Sequence, residues 1–208
     1  MILALINNKG GVGKTTTAVN LAAAWAHSGR KTLLADLDTQ ASASLHLGIR
    51  NPGGQPQPTA IPNLDLQAGL PSRRDYEHIV LDCPPALASL SAGALEMCDA
   101  FLVPLQPQYL AMEGLANLLR FCQHPQRWLG MVLTMVDTRA RVTGEIIQLL
   151  QQRFPDKVLQ TQIKSNIRLS EAASFGQSIF EYDSRCVGAQ LYAKLKEEVE
   201  QKCRVLAV

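Results

Sequence analysis

Lys9-Gly10-Gly11-Val12-Gly13-Lys14-Thr15 follows a short apolar run, Met1-Ile2-Leu3-Ala4-Leu5-Ile6, and opens into Thr16-Thr17-Ala18-Val19-Asn20-Leu21. Strand, tight glycine turn and helix start in that order are the context of a phosphate-binding loop. Glycines let the backbone curl so that successive N–H groups converge on an anion, and the helix N-terminus adds its positive dipole end. Lys14 is then placed to reach β- and γ-phosphates, and the Thr15 hydroxyl to ligate Mg²⁺. Gly10, Gly11, Val12, Gly13, Lys14, Thr15 and Thr16 therefore form the expected cradle of a nucleoside triphosphate. Lys9 is not required by an ordinary phosphate loop. On spacing alone it reads equally as a solvated loop lysine.

Outward from the loop, strand-length apolar runs alternate with helical patterns. Strands are expected over residues 2–7, 32–36, 64–68, 78–82, 100–104, 130–134 and 158–161, and helices over 15–28, 89–97, 109–122, 142–153, 169–175 and 188–203. This alternation predicts an α/β fold, a mostly parallel twisted sheet with helices on both faces, as one domain over residues 1–208. Gly29 is a candidate C-cap of the first helix. Residues 51–62, rich in Pro, Gly and Gln, read as an exposed loop. The connection over residues 69–77 has room for a turn and not for a full crossover helix.

Composition narrows the function classes. The 208 residues are 47% hydrophobic and 18% charged, an ordinary globular balance, with a net charge of +2. Any nucleic-acid binding must therefore come from a local basic patch. The N-terminal apolar run is too short for a signal peptide, and no stretch approaches the roughly 20 apolar residues of a membrane span. Cys83, Cys98, Cys122, Cys186 and Cys203 show no C-x-x-C pair and read as reduced thiols of a cytosolic protein.

Three carboxylates fall at strand ends, where the ligand crevice of a parallel sheet lies. The second strand runs into Asp36-Leu37-Asp38-Thr39-Gln40, and alternation puts Asp36 and Asp38 on one side if the strand geometry continues through Leu37. One of them suits orienting an attacking water and the other holding a Mg²⁺-bound water. A later strand, His78-Ile79-Val80-Leu81-Asp82-Cys83, ends in the carboxylate expected on the magnesium side, acting through water. Pro84-Pro85 then stiffens the exit into a segment placed to sense a γ-phosphate.

These pieces together resemble the ParA family of partition ATPases, in the deviant phosphate-loop group that includes MinD and the nitrogenase iron protein. Besides the loop and the three carboxylates, the likeness rests on Val132-Leu133-Thr134-Met135-Val136-Asp137-Thr138-Arg139. It continues from Ile167-Arg168-Leu169-Ser170-Glu171-Ala172 through Phe180-Glu181-Tyr182-Asp183 to Gly188-Ala189. The last two stretches lean toward the Soj-like branch.

The resemblance implies an ATPase using ATP and Mg²⁺, with Lys9 as the signature lysine that reaches a partner subunit's phosphates across an ATP-sandwich homodimer. By the same carry-over Asp38 activates water and Asp36 supports the magnesium shell. It further implies that the ATP dimer binds nonspecific double-stranded DNA through a C-terminal basic patch, here Lys164, Arg168 and Arg185, with Arg139 and Arg141 nearby. Release would follow hydrolysis stimulated by a ParB-like protein or another cargo adaptor, the cargo being a plasmid, a chromosome origin or a protein body such as a carboxysome. The expected location is cytoplasmic and nucleoid-associated, with no membrane partner and weak intrinsic turnover.

The sequence departs from the family pattern in places. Thr39 stands where proline is usual, and Lys164-Ser165-Asn166 stands where many relatives have Pro-Arg-Asn. With no N-terminal winged domain expected, the chain reads as a small ParA. The alternative is a MinD-like membrane-cycling ATPase, which needs an amphipathic basic tail. The last residues, from Glu197-Glu198-Val199-Glu200 onward, begin acidic and lack aromatics. A small ATP-dependent ligase would need a substrate pocket that no segment advertises, and an iron–sulfur carrier would need paired cysteines.

Overall fold

Period-two alternation along the apolar strands sorts their side chains into two layers, one on each face of a single sheet. The computed structural model describes residues 1–72, 75–85, 89–109 and 111–206. The strands are β1 (Ile2–Leu5), β2 (Thr32–Asp36), β3 (Gln57–Pro58), β4 (Leu64–Ala68), β5 (His78–Asp82), β6 (Ala100–Leu105) and β7 (Trp128–Leu133). They lie in the order β3-β4-β2-β5-β1-β6-β7, parallel except for β3, which runs antiparallel to β4 at the edge. Leu3, Leu5, Leu34, Leu66, Val80 and Leu102 face one core layer, and Ala4, Leu33, Ala35, Leu81, Phe101 and Val103 the other.

The described helices are α1 (Lys14–His27), α2 (Ser42–His46), α3 (Ser89–Met97), α4 (Ala111–Phe121), α5 (Arg141–Arg153), α6 (Ile167–Ser174), α7 (Ile179–Asp183) and α8 (Val187–Leu206). Residues of α1, α2, α6, α7 and α8 share the first layer, and those of α3, α4 and α5 the second. Helix α1 is apolar nearly all round because it lies between the sheet and α8. Its Trp25 is fully buried, stacks on His78 at 4.6 Å and donates from Nε1 to Glu200 at 2.9 Å. Gly29, at φ +81, stops the helix as expected, its amide reaching Ala26 O while that of Arg30 reaches Trp25 O.

Two expectations need correction. Residues 158–161 are not a strand: they touch the sheet at one bridge, Met131 to Val158. Gly130 explains the geometry. With φ +149 and no side chain it lets the chain cross at Lys157, whose carbonyl oxygen would stand 2.4 Å from any Cβ built there. The chain then touches β7 at separate points, the Met131 amide donating to Lys157 O and the Leu159 and Ile163 amides to Met131 O and Leu133 O, without forming a continuous ladder. Residues 51–62 are not wholly an exposed loop, since β3 forms within them and Ile61 is buried. Pro58 is tolerated there because β3 is an edge strand.

Candidate active site

Sheet order alone assembles the site. β5 lies between β1 and β2, so the phosphate loop leaving β1 meets Asp82 at the end of β5, and Asp82 pairs in register with Asp36 at the end of β2. The loop is held from below. Asn7 donates from Nδ2 to Pro104 O (2.7 Å) and accepts the Lys9 amide on Oδ1 (3.0 Å), while the buried Thr134 hydroxyl donates to Val12 O (2.8 Å). Gly11 (φ +72) and Gly13 (φ +81) adopt the left-handed turn that favours glycine, and a Cβ on Gly10 or Gly11 would meet nothing within 4 Å. Helix α1 then begins with no side-chain cap on its first amides, which leaves them for an anion.

Lys14 is buried, 7% exposed, and its ammonium donates to the Lys9 carbonyl at 3.1 Å. Burial pushes its pKa down, and the carboxylates of Asp82 and Asp38 act against that shift. Asp82, 1% exposed, accepts the Thr15 hydroxyl on Oδ2 at 2.8 Å, while Oδ1 is buried with no hydrogen-bond partner among the described residues. Burial foremost, with the Asp36 and Asp38 charges, raises its pKa to about 7; the Thr15 bond and Lys14 oppose the rise. An orphaned carboxylate oxygen beside a hydroxyl is an all-oxygen donor pair, and it fits a hard divalent cation such as Mg²⁺.

The alternation expected to put Asp36 and Asp38 on one side continues past the end of β2. Leu37 continues the strand pattern into the opposite core layer and its amide still pairs with Asp82 O at 3.0 Å. Their surroundings differ. Asp36 is buried, with Oδ1 on the Asp38 amide and Oδ2 on Ser44, whereas Asp38 is half-buried and accepts the Gln40 amide in a local turn. Lys9 is exposed, and its ammonium donates to Gln108 Oε1 at 2.6 Å. Residues 86–88, the segment expected to sense a γ-phosphate after Pro84-Pro85, lie outside the described residues.

Beside Gly13 and Thr16 opens a cavity of about 550 Å³, walled by Thr134, Met135, Ile163, Asn166 and Tyr192 among others. It adjoins the phosphate loop and is mostly apolar, the character of a site for a nucleotide base.

A profile of the CobQ/CobB/MinD/ParA nucleotide binding domain matches residues 3–179. The chain is 35% identical to the sporulation initiation inhibitor protein Soj of Bacillus subtilis, over 95% of this chain and 97% of the relative. It is also 35% identical to the chromosome partitioning protein ParA of Caulobacter vibrioides (95% and 93% covered) and 38% identical to the chromosome-partitioning ATPase Soj of Thermus thermophilus (95% and 94%). The chain belongs to the ParA/Soj family.

Solved structures agree on the fold. MinD of Pyrococcus horikoshii with Mg-ADP superposes with a TM-score of 0.80 at 21% identity, covering 99% of this chain and 98% of its own. The ATP complex of a Cyanothece McdA variant gives 0.78 at 18% identity, covering 100% and 96%.

In this ParA-family chain the expected DNA-binding residues lie at the junction of α6, α7 and α8. Arg168, in the first turn of α6, pairs with Glu171 at 3.0 Å and approaches Asp183 of α7 at 3.8 Å; Arg185 follows two residues after Asp183. Lys164 is exposed on the rim of the base-sized cavity, just before α6. Among the described residues neither Lys164 nor Arg185 has an ion pair. Arg139 and Arg141, by contrast, are paired with Asp137 and Glu145 at 2.9 Å. The charge available to an outside anion therefore rests chiefly on Lys164 and Arg185.

Sequence reasoning passed over Asn7, Ser44, Gln108 and Asn20. Asn20 donates to Thr16 O and accepts the Ile179 amide, tying α1 to α7. Each of these side chains bonds across elements far apart in sequence or within a short local segment, so periodicity gives no sign of it. Asn20 and Thr134 stood inside quoted stretches, with no role read for either.

Proposed function

We propose that residues 1–208 act as one unit, an ATPase of partition or positioning type that binds ATP with Mg²⁺, pairs into a homodimer around it, and binds nonspecific DNA in that state. The observation that carries this reading is the clustering of two lysines, Lys14 buried and Lys9 exposed on Gln108, around one phosphate loop whose Asp82 has an unpartnered oxygen. Lys14 binds the β- and γ-phosphates of its own nucleotide. Lys9, released from Gln108, supplies a second cation to the partner copy's nucleotide, where a charge offered in trans offsets that developing on the transferring phosphoryl group.

Thr15 and Asp82 would hold Mg²⁺, which would supply charge neutralisation to the phosphates when bound. Asp36 braces the Asp38 segment beside it. Asp38, half-buried and facing the crevice, orients a water and takes its proton as the water oxygen attacks the γ-phosphorus. The bond to the β–γ bridging oxygen breaks, leaving ADP and phosphate. Turnover unaided is slow, because no arginine stands among the described side chains that frame the loop; a ParB-like or other adaptor stimulates it. Lys164, Arg168 and Arg185 contact DNA phosphates without reading bases, so binding weakens steeply with salt. The protein works in the cytoplasm on the nucleoid, moving a replicon or a protein body such as a carboxysome.

The test is a gel shift on arbitrary duplex DNA with ADP, ATP and a nonhydrolysable ATP analogue at two salt concentrations, run beside sedimentation in the same nucleotides. Retardation with the analogue, lost at higher salt and accompanied by a dimer, is expected. A chain that stays monomeric when saturated with the analogue overturns the proposal.

A further inference from the structure

Both lysines of the phosphate loop rest on acceptors of their own chain, and the two contacts meet at one residue. The buried Lys14 ammonium donates to the Lys9 carbonyl at 3.1 Å, and the Lys9 ammonium donates to Gln108 Oε1 at 2.6 Å. The backbone of Lys9 is pinned separately. Its amide donates to Asn7 Oδ1 at 3.0 Å, and Asn7 Nδ2 donates to Pro104 O at 2.7 Å.

Gln108 is fixed in its turn, in the short connection from β6 to α4. Its amide donates to Gln106 O at 2.8 Å, and its carbonyl accepts the Ala111 amide at 2.9 Å where α4 begins. Within the first turn of α4, a Cβ on Gly114 would stand 3.3 Å from Asn8 Oδ1, so the Asn8–Lys9 limb of the loop lies against this helix. A carboxamide on a fixed backbone thus meets a lysine whose own backbone is fixed. Gln108 is exposed, and among the described residues Lys9 makes no ion pair. An ammonium on a neutral amide oxygen in solvent is held weakly. A phosphate oxygen binds it through a charge-assisted bond roughly twice as strong.

We infer that Gln108 is a positioning residue, a latch that keeps the Lys9 ammonium on its own chain until a partner copy's phosphates compete for it. This rests on the reading that Lys9 serves the partner copy's nucleotide. On that reading Lys14 turns from the Lys9 carbonyl to the phosphates of its own nucleotide, while the Lys9 side chain stays on Gln108. Each dimer then forms only after two latches open, one per copy. A copy whose Lys9 is latched is not competent to pair, and the apparent affinity of the dimer falls with the competent fraction of each copy.

The experiment uses the full chain and follows dimerisation by sedimentation velocity across protein concentrations, with Mg²⁺ and a nonhydrolysable ATP analogue. An exposed contact that holds latched and free forms at about two to one leaves about one copy in three competent, which raises the dissociation constant of the dimer about ninefold. Gln108→Leu keeps much of the bulk and removes the acceptor, so it is expected to tighten the dimer by about that factor. Gln108→Glu sets a carboxylate opposite the ammonium, and a hold about threefold stronger weakens the dimer about fivefold. A side chain that only shaped the start of α4 would move both variants the same way. Affinity for ADP stays at the parent value in both. Lysine-ammonium NMR without nucleotide should show a Lys9 Nζ signal protected from solvent exchange in the parent and lost in Gln108→Leu. Gln108 is exposed and its backbone bonds survive either substitution, so both variants fold. A Gln108→Leu dimer no tighter than the parent's, or two variants shifted in the same direction, overturns the latch. A Lys9→Ala variant that pairs as tightly as the parent overturns the functional reading instead.

Discussion

Replacing Asp82 with asparagine removes a buried charge that the nucleotide-free fold carries at a cost. The side chain is 1% exposed, one oxygen has no partner, and its pKa stands at about 7 against 3.8 for a free aspartate. The sign follows from linkage. A carboxyl with a raised folded-state pKa binds its proton more tightly when folded, so stability falls as pH rises from about 4 to about 7 and the full cost is present above that. About three pH units at 1.36 kcal/mol each give a ceiling near 4 kcal/mol. Between about pH 5 and about pH 8 the part that changes is roughly 2–3 kcal/mol. Asparagine keeps an acceptor for Thr15 and leaves Lys14 with less opposite charge, and neither effect titrates in that window. Asp82→Asn should therefore gain on the wild type by roughly 5–10 °C in Tm between those two pH values, at about 2–4 °C per kcal/mol for a chain of this size. The assay is thermal unfolding in chelator, without nucleotide, across that range. A difference between the two proteins that does not change with pH refutes the reasoning. With Mg²⁺ and ATP present the order should reverse, because the variant loses the ligand linkage that stabilises the wild type.

Other perturbations test neighbouring parts. Lys14→Ala should abolish ATP binding by calorimetry, since nothing else described places a buried cation in the loop. Asp38→Ala should bind ATP and accumulate as a dimer by light scattering, with hydrolysis reduced by at least about a hundredfold, as for loss of a positioned general base. Gly13→Ala must hold φ +81 with a side chain, so it should lose about 1–2 kcal/mol of stability in urea and weaken nucleotide binding as well. Lys164→Glu with Arg185→Glu should reduce DNA affinity and flatten its salt dependence while dimerisation in the analogue is unchanged; unaltered DNA retention would place the contact surface elsewhere.

Much of this was legible in the sequence because the informative residues are local. The strands 32–36, 64–68 and 78–82 coincide with β2, β4 and β5, since the first and last are short apolar runs ending in aspartate and Leu64–Ala68 alternates apolar and polar residues. The phosphate loop was legible for the same reason: seven consecutive residues carry the turn, the anion cradle and the lysine. Helices α2 and α7 were not, because each has five residues and too little length for a period to show. The strand expected at 158–161 failed on a tertiary fact. Val158 and Leu159 are buried, and Val158 meets β7 at a single bridge, so burial leaves the trace of a strand where no continuous ladder forms.

The three crevice carboxylates show where sequence reasoning reaches its limit and what decides the matter beyond it. In the sequence Asp36, Asp38 and Asp82 are the same residue type at similar strand ends, and nothing in the spacing alone assigns their roles. Packing separates them. Asp36 has both oxygens committed to backbone and to Ser44, so its charge is spent on fixing geometry. Asp82 keeps one oxygen unpartnered in a site with almost no solvent, which is tolerable only if a proton or a cation occupies it. Asp38 is half-buried, which leaves room for a water beside it. The proposed brace, cation ligand and base match three degrees of burial and hydrogen bonding. Exchanging the environments would exchange the roles, which is why substitutions at these positions should differ in kind as well as in size.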